Sequence, residues 1–233
     1  MTKICIPIVE KKISKILEKI NESKNWPVEI LEIWLGEILK ISDKKINKIA
    51  LTAKSVGKKI LVNCKNSDEK GNFIGSDLEK TEILKSAIKY NIDFVDVDVD
   101  FPFIKNLQKK ISENNNQTRL ILSTHFWEKT PQISELKKII TKMISRGAQI
   151  IKIAAMPKNL KDVAIIFLLA EILNQKKQKH ICISMGKIGA ISRIYAPILK
   201  SEITFAPFKN YDKSAPGQIN FENLREFWRI LQF

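Results

Sequence analysis

Short β-rich runs alternate with lysine-rich segments of helical period along this sequence, and that alternation constrains the fold more than any other feature. The predicted strands are Lys3–Val9, Val28–Leu35, Lys59–Lys65, Phe94–Val99, Thr118–Phe126, Ile150–Ala155, His180–Met185 and Ile203–Phe208. The predicted helices span 11–21, 43–54, 77–91, 103–113, 131–146, 160–176, 188–199 and 222–231. Strands that alternate with helices indicate an α/β fold with a parallel sheet, and eight such units most simply close into a (β/α)8 barrel, also called a TIM barrel.

The length of the chain agrees with a single barrel domain over residues 1–233. At 233 residues the chain is slightly shorter than a typical barrel of this class. No Pro/Gly-rich linker or shift in composition marks a second domain. An open, doubly wound sheet is the alternative architecture, which the sequence disfavours because no glycine-rich phosphate turn follows the first strand.

Hydropathy and cysteine usage indicate a cytoplasmic protein. No run of about 18 apolar residues is present, and the apolar N-terminus lacks the basic stretch that begins a secretory signal. Cys5, Cys64 and Cys182 lie far apart inside apolar runs, so we expect reduced core thiols. With two histidines and no Cys-x-x-Cys pair, the sequence predicts no metal site.

The formal net charge of +15 raises the hypothesis of a nucleic-acid partner. Surfaces that read bases depend on arginine, whose guanidinium group forms two parallel hydrogen bonds. Only five of the 40 basic residues are arginine, and the lysines are scattered over predicted helix faces. We therefore expect a solvated basic surface, with neither nucleic acid nor membrane as a partner.

One lysine stands inside the predicted sixth strand. Lys152 is the only charged residue of the apolar run 150–156. A buried ammonium group is costly unless it is paired or used, and desolvation frees the lone pair that a Schiff-base nucleophile needs. The alternative is an ordinary strand lysine whose stem reaches solvent. The catalytic interpretation is favoured because barrel enzymes keep their active sites near the carboxyl ends of parallel strands.

The carboxyl ends of other predicted strands also carry polar residues, and barrel topology brings those ends to one face. In chain order they are Glu32 and Trp34, Lys65, Asp98, Ser123 and His125, Lys152, Ser184 and the loop 214–218, with Arg193 early in the helix after the seventh strand. A lysine, a histidine, carboxylates and an arginine together suit carbonyl chemistry on an anionic, hydroxylated small molecule.

Several of these segments resemble, in order, the type I 3-dehydroquinate dehydratases, shikimate-pathway lyases of aromatic amino-acid biosynthesis that remove water from 3-dehydroquinate. The segments are Ser123–Phe126 followed by Thr130-Pro131, Gly147–Pro157, Ile183–Gly186 with Gly189 and Ser192-Arg193, Thr204-Phe205, and Ser214–Gln218. The similarity is dense from about residue 118 to 219 and thinner before it. Each segment alone is a weak signal, but the five in this order are specific.

The resemblance implies a role for each matched residue. Lys152 forms an imine with the substrate ketone, which acidifies the neighbouring C–H bond, and His125 takes that proton and returns one to the departing hydroxyl. Arg193 grips the substrate carboxylate, while Ser214 and Gln218 contact the substrate from a closing loop. No cofactor is implied. Dimers are common in the family, so a homodimer is an expectation that the resemblance raises.

The first half of the chain departs from the family's pattern of substrate-binding residues. Glu32 matches a carboxylate that binds a substrate hydroxyl, but Trp34 stands where the family has an arginine. Lys65 also stands in the place of an arginine and keeps its charge without the fork geometry. The first strand begins almost at once, so we expect no N-terminal hairpin plugging the barrel, a feature of some members.

The carboxylate that orients the catalytic histidine departs as well. The resemblance aligns Asp98 with a glutamate, but by alternation Asp96 and Asp100 share its strand face and stay open as alternatives. A lost charged hydrogen bond costs about 1.5–3 kcal/mol, or about one to two decades in kcat/KM when it acts in the transition state. We therefore expect a working but slower enzyme.

Two other functions stay open from the sequence. An aldolase-like lyase would keep the Schiff-base lysine but cleave a carbon–carbon bond, and it needs a phosphate-binding loop for which Gly186–Gly189 is the only faint candidate. An inactive, basic binding barrel is the second, supported by Trp34 and Lys65. Salt-dependent retention on nucleic acid without dehydratase activity would favour that interpretation.

Overall fold

Strands and helices alternate in the computed structural model, which describes residues 1–208 and 214–233. The strands are β1 (Lys3–Ile8), β2 (Ile30–Trp34), β3 (Lys59–Asn63), β4 (Phe94–Asp98), β5 (Arg119–Phe126), β6 (Ile150–Ala155), β7 (His180–Ser184) and β8 (Ile203–Phe205). The helices are α1 (Ile13–Glu22), α2 (Asp43–Ser55), α3 (Asp77–Lys89), α4 (Ile104–Glu113), α5 (Ile133–Ser145), α6 (Leu160–Gln175), α7 (Gly186–Gly189), α8 (Ile191–Ile194) and α9 (Phe221–Ile230). None of these helices is long and apolar enough to cross a bilayer.

The chain divides into two compact units, each with its own parallel strand pairs. The amino-terminal unit is Ile8–Ile121, and the carboxyl-terminal unit combines Met1–Pro7 with Leu122–Phe233. In the amino-terminal unit β3 pairs in parallel with both β2 and β4. In the carboxyl-terminal unit β6 pairs with β7 and β1 pairs with β8, again in parallel. The expectation of one domain over residues 1–233 stays a prediction.

The strands form the core of each unit because their side chains are buried on both faces. All six residues of β6 are buried, as are all five of β7. Parallel strands covered on both faces are typically continuous apolar runs without alternation, as here. Cys5, Cys64 and Cys182 are buried free thiols, in agreement with the sequence analysis. Burial raises the pKa of the Cys64 thiol to about 12, so it stays protonated and unreactive near neutral pH.

Six predicted strands, β1 to β4, β7 and β8, extend one to three residues too far at their carboxyl ends. β2 ends at Trp34 because the next three residues form a 3₁₀ turn. β3 ends at Asn63, and the chain then folds back so that the Phe73 amide donates to the Lys65 carbonyl oxygen at 3.0 Å. β8 ends at Phe205. Lys65 therefore lies in the loop after β3 rather than on the strand.

The single helix predicted over 188–199 is wrong, since two one-turn helices, α7 and α8, occupy its first half. The Ser192 hydroxyl explains the break. It accepts from the Ser184 amide at 3.0 Å and donates to the Gly189 carbonyl oxygen at 2.8 Å. Gly189 lies so close to β7 that a Cβ there would be 2.5 Å from the Ser184 carbonyl carbon. These contacts turn the chain against the strand end.

A capping box begins α3, the helix that follows the loop containing Lys65. The Ser76 hydroxyl accepts from the Glu79 amide at 3.2 Å, and the Glu79 carboxylate accepts from the Ser76 amide at 2.7 Å. Ser42 occupies the same position before α2, but its side chain makes no capping hydrogen bond. A comparison of the two serines therefore distinguishes the effect of losing the capping hydrogen bond from the effect of replacing a serine at the start of a helix.

We expect Ser76→Ala to lower the free energy of unfolding by about 1 kcal/mol, because the first turn of α3 loses an acceptor for a backbone amide. The matched variant Ser42→Ala should change it by less than about 0.5 kcal/mol. Urea denaturation of both variants measures the difference. Equal losses at the two positions would contradict the assignment of the stability to the capping bond.

Candidate active site

The ends of three neighbouring strands are held together in the carboxyl-terminal unit. The Met156 amide donates to the Phe126 carbonyl oxygen and the Met185 amide to the Ala155 carbonyl oxygen, each at 2.8 Å. These bonds extend the strand pairing one residue beyond β6 and β7. His125 therefore lies at a fixed strand end, on the strand next to the one that carries the candidate lysine.

Lys152, the third residue of β6, is 5% exposed. Its Nζ lies 4.6 Å from the centroid of the Phe205 ring. The alternative of an ordinary strand lysine whose amino group reaches solvent is therefore wrong. The face of an aromatic ring is a favourable neighbour for a lysine side chain that is buried away from water.

Arg193 is 2% exposed, on α8. Its Nη1 donates to the Phe205 carbonyl oxygen at 3.2 Å, and its buried Nε has no hydrogen-bond partner among residues 1–208 and 214–233. Burial lowers the pKa of the guanidinium group to about 10, so it stays charged at neutral pH. A charged fork with an unused donor suits a carboxylate ligand, which can accept two parallel hydrogen bonds.

Phe205 contacts both of these side chains. Its ring supports Lys152 and its carbonyl oxygen accepts from Arg193. A role for Phe205 was not predicted, because no pattern in the sequence separates a ring that contacts a lysine from an ordinary core phenylalanine. Ser192 was also missed as a structural residue, although its bonds to β7 fix the backbone immediately before Arg193.

The His125 imidazole stacks on a neighbouring aromatic ring. It is half-buried and stacks on Trp127, with ring centroids 5.5 Å apart and an interplanar angle of 11°. Trp127 follows the strand that carries the histidine and was not singled out from the sequence. A partly accessible imidazole with a defined orientation is suited to proton transfer.

The predicted loop residues Ser214 and Gln218 bond to each other. The Ser214 amide donates to Gln218 Oε1 at 2.9 Å, and Gln218 Nε2 donates to the Ser214 hydroxyl at 3.1 Å. Between them, the Pro216 carbonyl oxygen accepts from the Gly186 amide at 3.2 Å. The loop 214–218 therefore rests on the turn after β7. Contact of either side chain with a substrate stays a prediction.

Two glycines allow this close packing of backbone on backbone. Gly186 and Gly217 have φ values of +68° and +77°, in the left-handed region. A Cβ at Gly217 would lie 2.1 Å from the Gly186 carbonyl oxygen, and one at Gly186 would lie 2.9 Å from the Met156 sulfur. Side chains at these positions are excluded both by the backbone conformation and by the lack of space.

In the amino-terminal unit, two of the predicted residues are buried with partners. Glu32 is 3% exposed and accepts from Asn63 Nδ2 at 3.1 Å. Lys65 Nζ lies 3.4 Å from the Glu69 carboxylate, which also pairs with Lys80 at 3.4 Å. Lys65 therefore shares a carboxylate with a second lysine, an arrangement that the sequence did not indicate.

Asp98 is the last residue of β4 and is half-buried. Burial raises the pKa of its carboxyl group, a hydrogen bond from the Asp100 amide at 2.7 Å opposes this, and the charges of Glu69 and Asp100 add to the rise. Asp96 lies on the same strand face and is buried. Asp100 is exposed in the turn after the strand, so the expectation that all three carboxylates share one strand face is wrong for Asp100.

Metal ligation is not indicated by the described part of the chain. Across residues 1–208 and 214–233, no group of three or more His, Cys, Asp or Glu side chains is placed to share an ion.

Comparison with known proteins gives one consistent result. The sequence model of the type I 3-dehydroquinase family matches residues 4–233. The 3-dehydroquinate dehydratase of Methanocaldococcus jannaschii is 32% identical over 228 residues, which cover 98% of this chain and 98% of the relative.

Solved structures agree in fold over the whole chain. The 3-dehydroquinate dehydratase of Geobacillus kaustophilus has a TM-score of 0.90 at 26% identity and covers 100% of this chain and 91% of that one. The type I enzyme of Clostridium difficile, solved with covalent modified comenic acid, has a TM-score of 0.89 at 26% identity and covers 99% and 92%. The predicted (β/α)8 class is confirmed.

We expect Gly217→Ala to release the loop 214–218 from the turn after β7, because the added methyl group would overlap the Gly186 carbonyl oxygen. Hydrogen exchange of the Gly186 amide, which bonds to Pro216, should accelerate. Gly57→Ala is the matched control: its φ is +70°, but a Cβ there meets nothing within 4 Å. Unchanged exchange at Gly186 in the Gly217 variant would show that the bond does not depend on this packing.

Proposed function

This chain belongs to the type I 3-dehydroquinase family of lyases, and from that premise we propose that it converts 3-dehydroquinate to 3-dehydroshikimate through a Schiff base on Lys152. The observation that carries the proposal is the buried Lys152 amine above the Phe205 ring. The carbonyl oxygen of the same phenylalanine accepts a hydrogen bond from Arg193. A desolvated amine suits reaction with a ketone, and a nearby guanidinium group suits binding of a carboxylate. Together they match a substrate that carries both groups.

The first step is attack of the neutral Lys152 amine on the substrate ketone. The carbon–oxygen double bond is replaced by a carbon–nitrogen double bond, and the oxygen leaves as water. The protonated imine acidifies the adjacent C–H bond because its nitrogen accepts the electron pair that deprotonation releases. Burial of the amine supports this step, because desolvation in general disfavours a charged amine relative to a neutral one.

His125 is proposed as the group that moves protons. It takes the proton from the carbon next to the imine and then delivers a proton to the departing hydroxyl, so that water is eliminated. Hydrolysis of the imine consumes one water, releases the enone product and restores the amine. The stacking of His125 on Trp127 supports a proton transfer that needs one defined direction.

Arg193 is proposed to bind the substrate carboxylate. Its unpartnered, buried Nε and its charge support this role, since a bidentate carboxylate would satisfy a donor that the described residues leave unused. The loop residues Ser214 and Gln218 are proposed to contact the substrate when they exchange their mutual hydrogen bonds for bonds to it.

Family membership supports the remaining proposals. Glu32 and Lys65 are proposed to bind substrate hydroxyls, and Asp98 is proposed to orient the catalytic histidine. We expect a lower rate of turnover because Trp34, Lys65 and Asp98 differ from the residues usual in the family. The three buried thiols support a reducing, cytoplasmic location. A homodimer stays a prediction. Family membership favours dehydration over the aldolase-like and inactive alternatives.

Borohydride reduction in the presence of 3-dehydroquinate should leave a covalent adduct on Lys152, because reduction fixes the imine as a stable amine. Peptide mass mapping locates the adduct, and Lys152→Ala should abolish both the adduct and turnover. Lys80 is a matched internal control: it is also buried beside a ring, 5.2 Å from the Phe101 centroid, but it pairs with Glu69. An adduct on Lys80 instead of Lys152 would overturn the assignment.

His125→Ala should lower turnover about a hundred- to ten-thousandfold, since the proton shuttle is lost, while adduct formation continues at a reduced rate. Growth of enone absorbance measures turnover. The control is His180→Gln at the chain's other histidine, which lies buried between two carbonyl oxygens at 3.1 Å. That variant should lower the melting temperature and keep turnover per folded molecule. Full turnover in His125→Ala would place the shuttle elsewhere.

A further inference from the structure

One carboxylate in the loop between β3 and α3, residues 64–76, is shared by two lysines. Glu69 Oε1 lies 3.4 Å from Lys65 Nζ, and Glu69 Oε2 lies 3.4 Å from Lys80 Nζ. The two lysine side chains are 5% and 4% exposed, and the glutamate side chain is 16% exposed. Each oxygen of one mostly buried carboxylate therefore pairs with a different ammonium group.

Lys80 reaches this loop from α3, the helix that follows it. Its ammonium group also donates to Asn66 Oδ1 at 3.4 Å and lies 5.2 Å from the centroid of the Phe101 ring. Burial of an ammonium group is costly, and removal of one member of a buried ion pair leaves the other uncompensated. Lys80 thus connects two residues of the loop, Asn66 and Glu69, to the helix.

The two lysines together make the contacts that one arginine can make with a carboxylate. A guanidinium group donates two parallel hydrogen bonds to the two oxygens and so fixes the plane of the carboxylate, whereas an ammonium group acts as a point charge. Lys65 stands where the family usually has an arginine. It contacts one oxygen of Glu69, and the second oxygen is contacted from the helix by Lys80.

We propose that Lys80 is a positioning residue, which provides the second of the two contacts that an arginine at position 65 would make with Glu69. By holding the carboxylate at its second oxygen, Lys80 fixes the direction from which Glu69 attracts the Lys65 ammonium group. This inference rests on the proposed function, because Lys65 is the residue proposed to bind a substrate hydroxyl. Lys80 itself is not expected to contact the substrate.

The backbone of the loop has attachments that do not involve Lys80. The Phe73 amide donates to the Lys65 carbonyl oxygen at 3.0 Å. Asn72 donates to the Glu37 carboxylate twice, from its backbone amide at 3.0 Å and from Nδ2 at 2.7 Å. Loss of the Lys80 ammonium group should therefore displace side chains of the loop more than its backbone.

The test compares the same substitution in two backgrounds. In the wild type, Lys80→Met keeps the length of the side chain and removes its charge. It should raise KM for 3-dehydroquinate about five- to tenfold and change kcat less than about twofold, the effect of one weakened hydrogen bond to the substrate. In a Lys65→Arg background the guanidinium group contacts both oxygens of Glu69, so Lys80→Met should raise KM less than about twofold. Enone absorbance measures both constants.

Lys85→Met is the matched control, because Lys85 lies on the same helix and pairs with an exposed carboxylate, that of Glu82, at 2.8 Å. It should leave KM unchanged in both backgrounds. Lys80→Gln is made in parallel, since it removes the charge but keeps a donor for Asn66. If Lys80→Met fails to fold, the glutamine variant carries the comparison.

A second measurement does not depend on turnover. In the wild type the two Hε protons of Lys65 should give distinct NMR resonances, because the side chain is held in one position. Lys80→Met should bring these resonances together as the side chain gains freedom, and Lys85→Met should leave them distinct.

Four results would overturn the positioning role of Lys80: an equal rise of KM in both backgrounds, an unchanged KM in the Lys80 variants, a fall in kcat at unchanged KM, or failure of both Lys80 variants to fold in either background, which indicates a role in stability only. If the Lys65 resonances merge as expected but no enone forms even with the wild type, the proposed function fails and the positioning role stands. If enone forms while KM and the Lys65 resonances do not respond to Lys80→Met, the positioning role fails and the function stands.

Discussion

The chemistry proposed for the carboxyl-terminal unit depends on Phe205, through its ring and its carbonyl oxygen. The ring lies under the Lys152 amine, and the carbonyl oxygen accepts from Arg193. β8 ends at Phe205, which allows its carbonyl oxygen to serve Arg193. One residue thereby contacts both side chains on which the proposed chemistry depends.

Backbone contacts, rather than long side chains, hold the surrounding groups in position. Ser192 bonds to the backbone of β7, and Gly217 packs on Gly186 at a distance that excludes any Cβ. Such contacts have little freedom to rearrange, because each depends on a backbone hydrogen bond or on a left-handed conformation. Arg193 and the loop 214–218 are therefore positioned by the strand ends, and Ser214 and Gln218 are held to each other by two hydrogen bonds within the loop.

The succession of strands and the buried lysine were predictable from the sequence, because strands appear as apolar runs and the lysine is a charged residue inside one of them. β6 has the bounds read from its apolar run, and Lys152 interrupts that run. The failures lie where tertiary contacts decide. The helix over 188–199 has the right composition, but the Ser192 hydroxyl bonds to β7 and breaks it. Phe205 carries no local signal either, since its contacts with Lys152 and Arg193 come from tertiary packing that sequence spacing does not reveal.

The departures of the amino-terminal unit from the family's arginines change the kind of interaction available to a hydroxylated ligand. Lys65 shares Glu69 with Lys80, so part of its charge is already balanced within the unit. The groups beside Glu32 that have no hydrogen-bond partner among the described residues are neutral, the Trp34 indole donor and the Asn63 amide oxygen. Neutral hydrogen bonds are individually weaker than bonds from a guanidinium group, but they cost less to desolvate and depend less on salt.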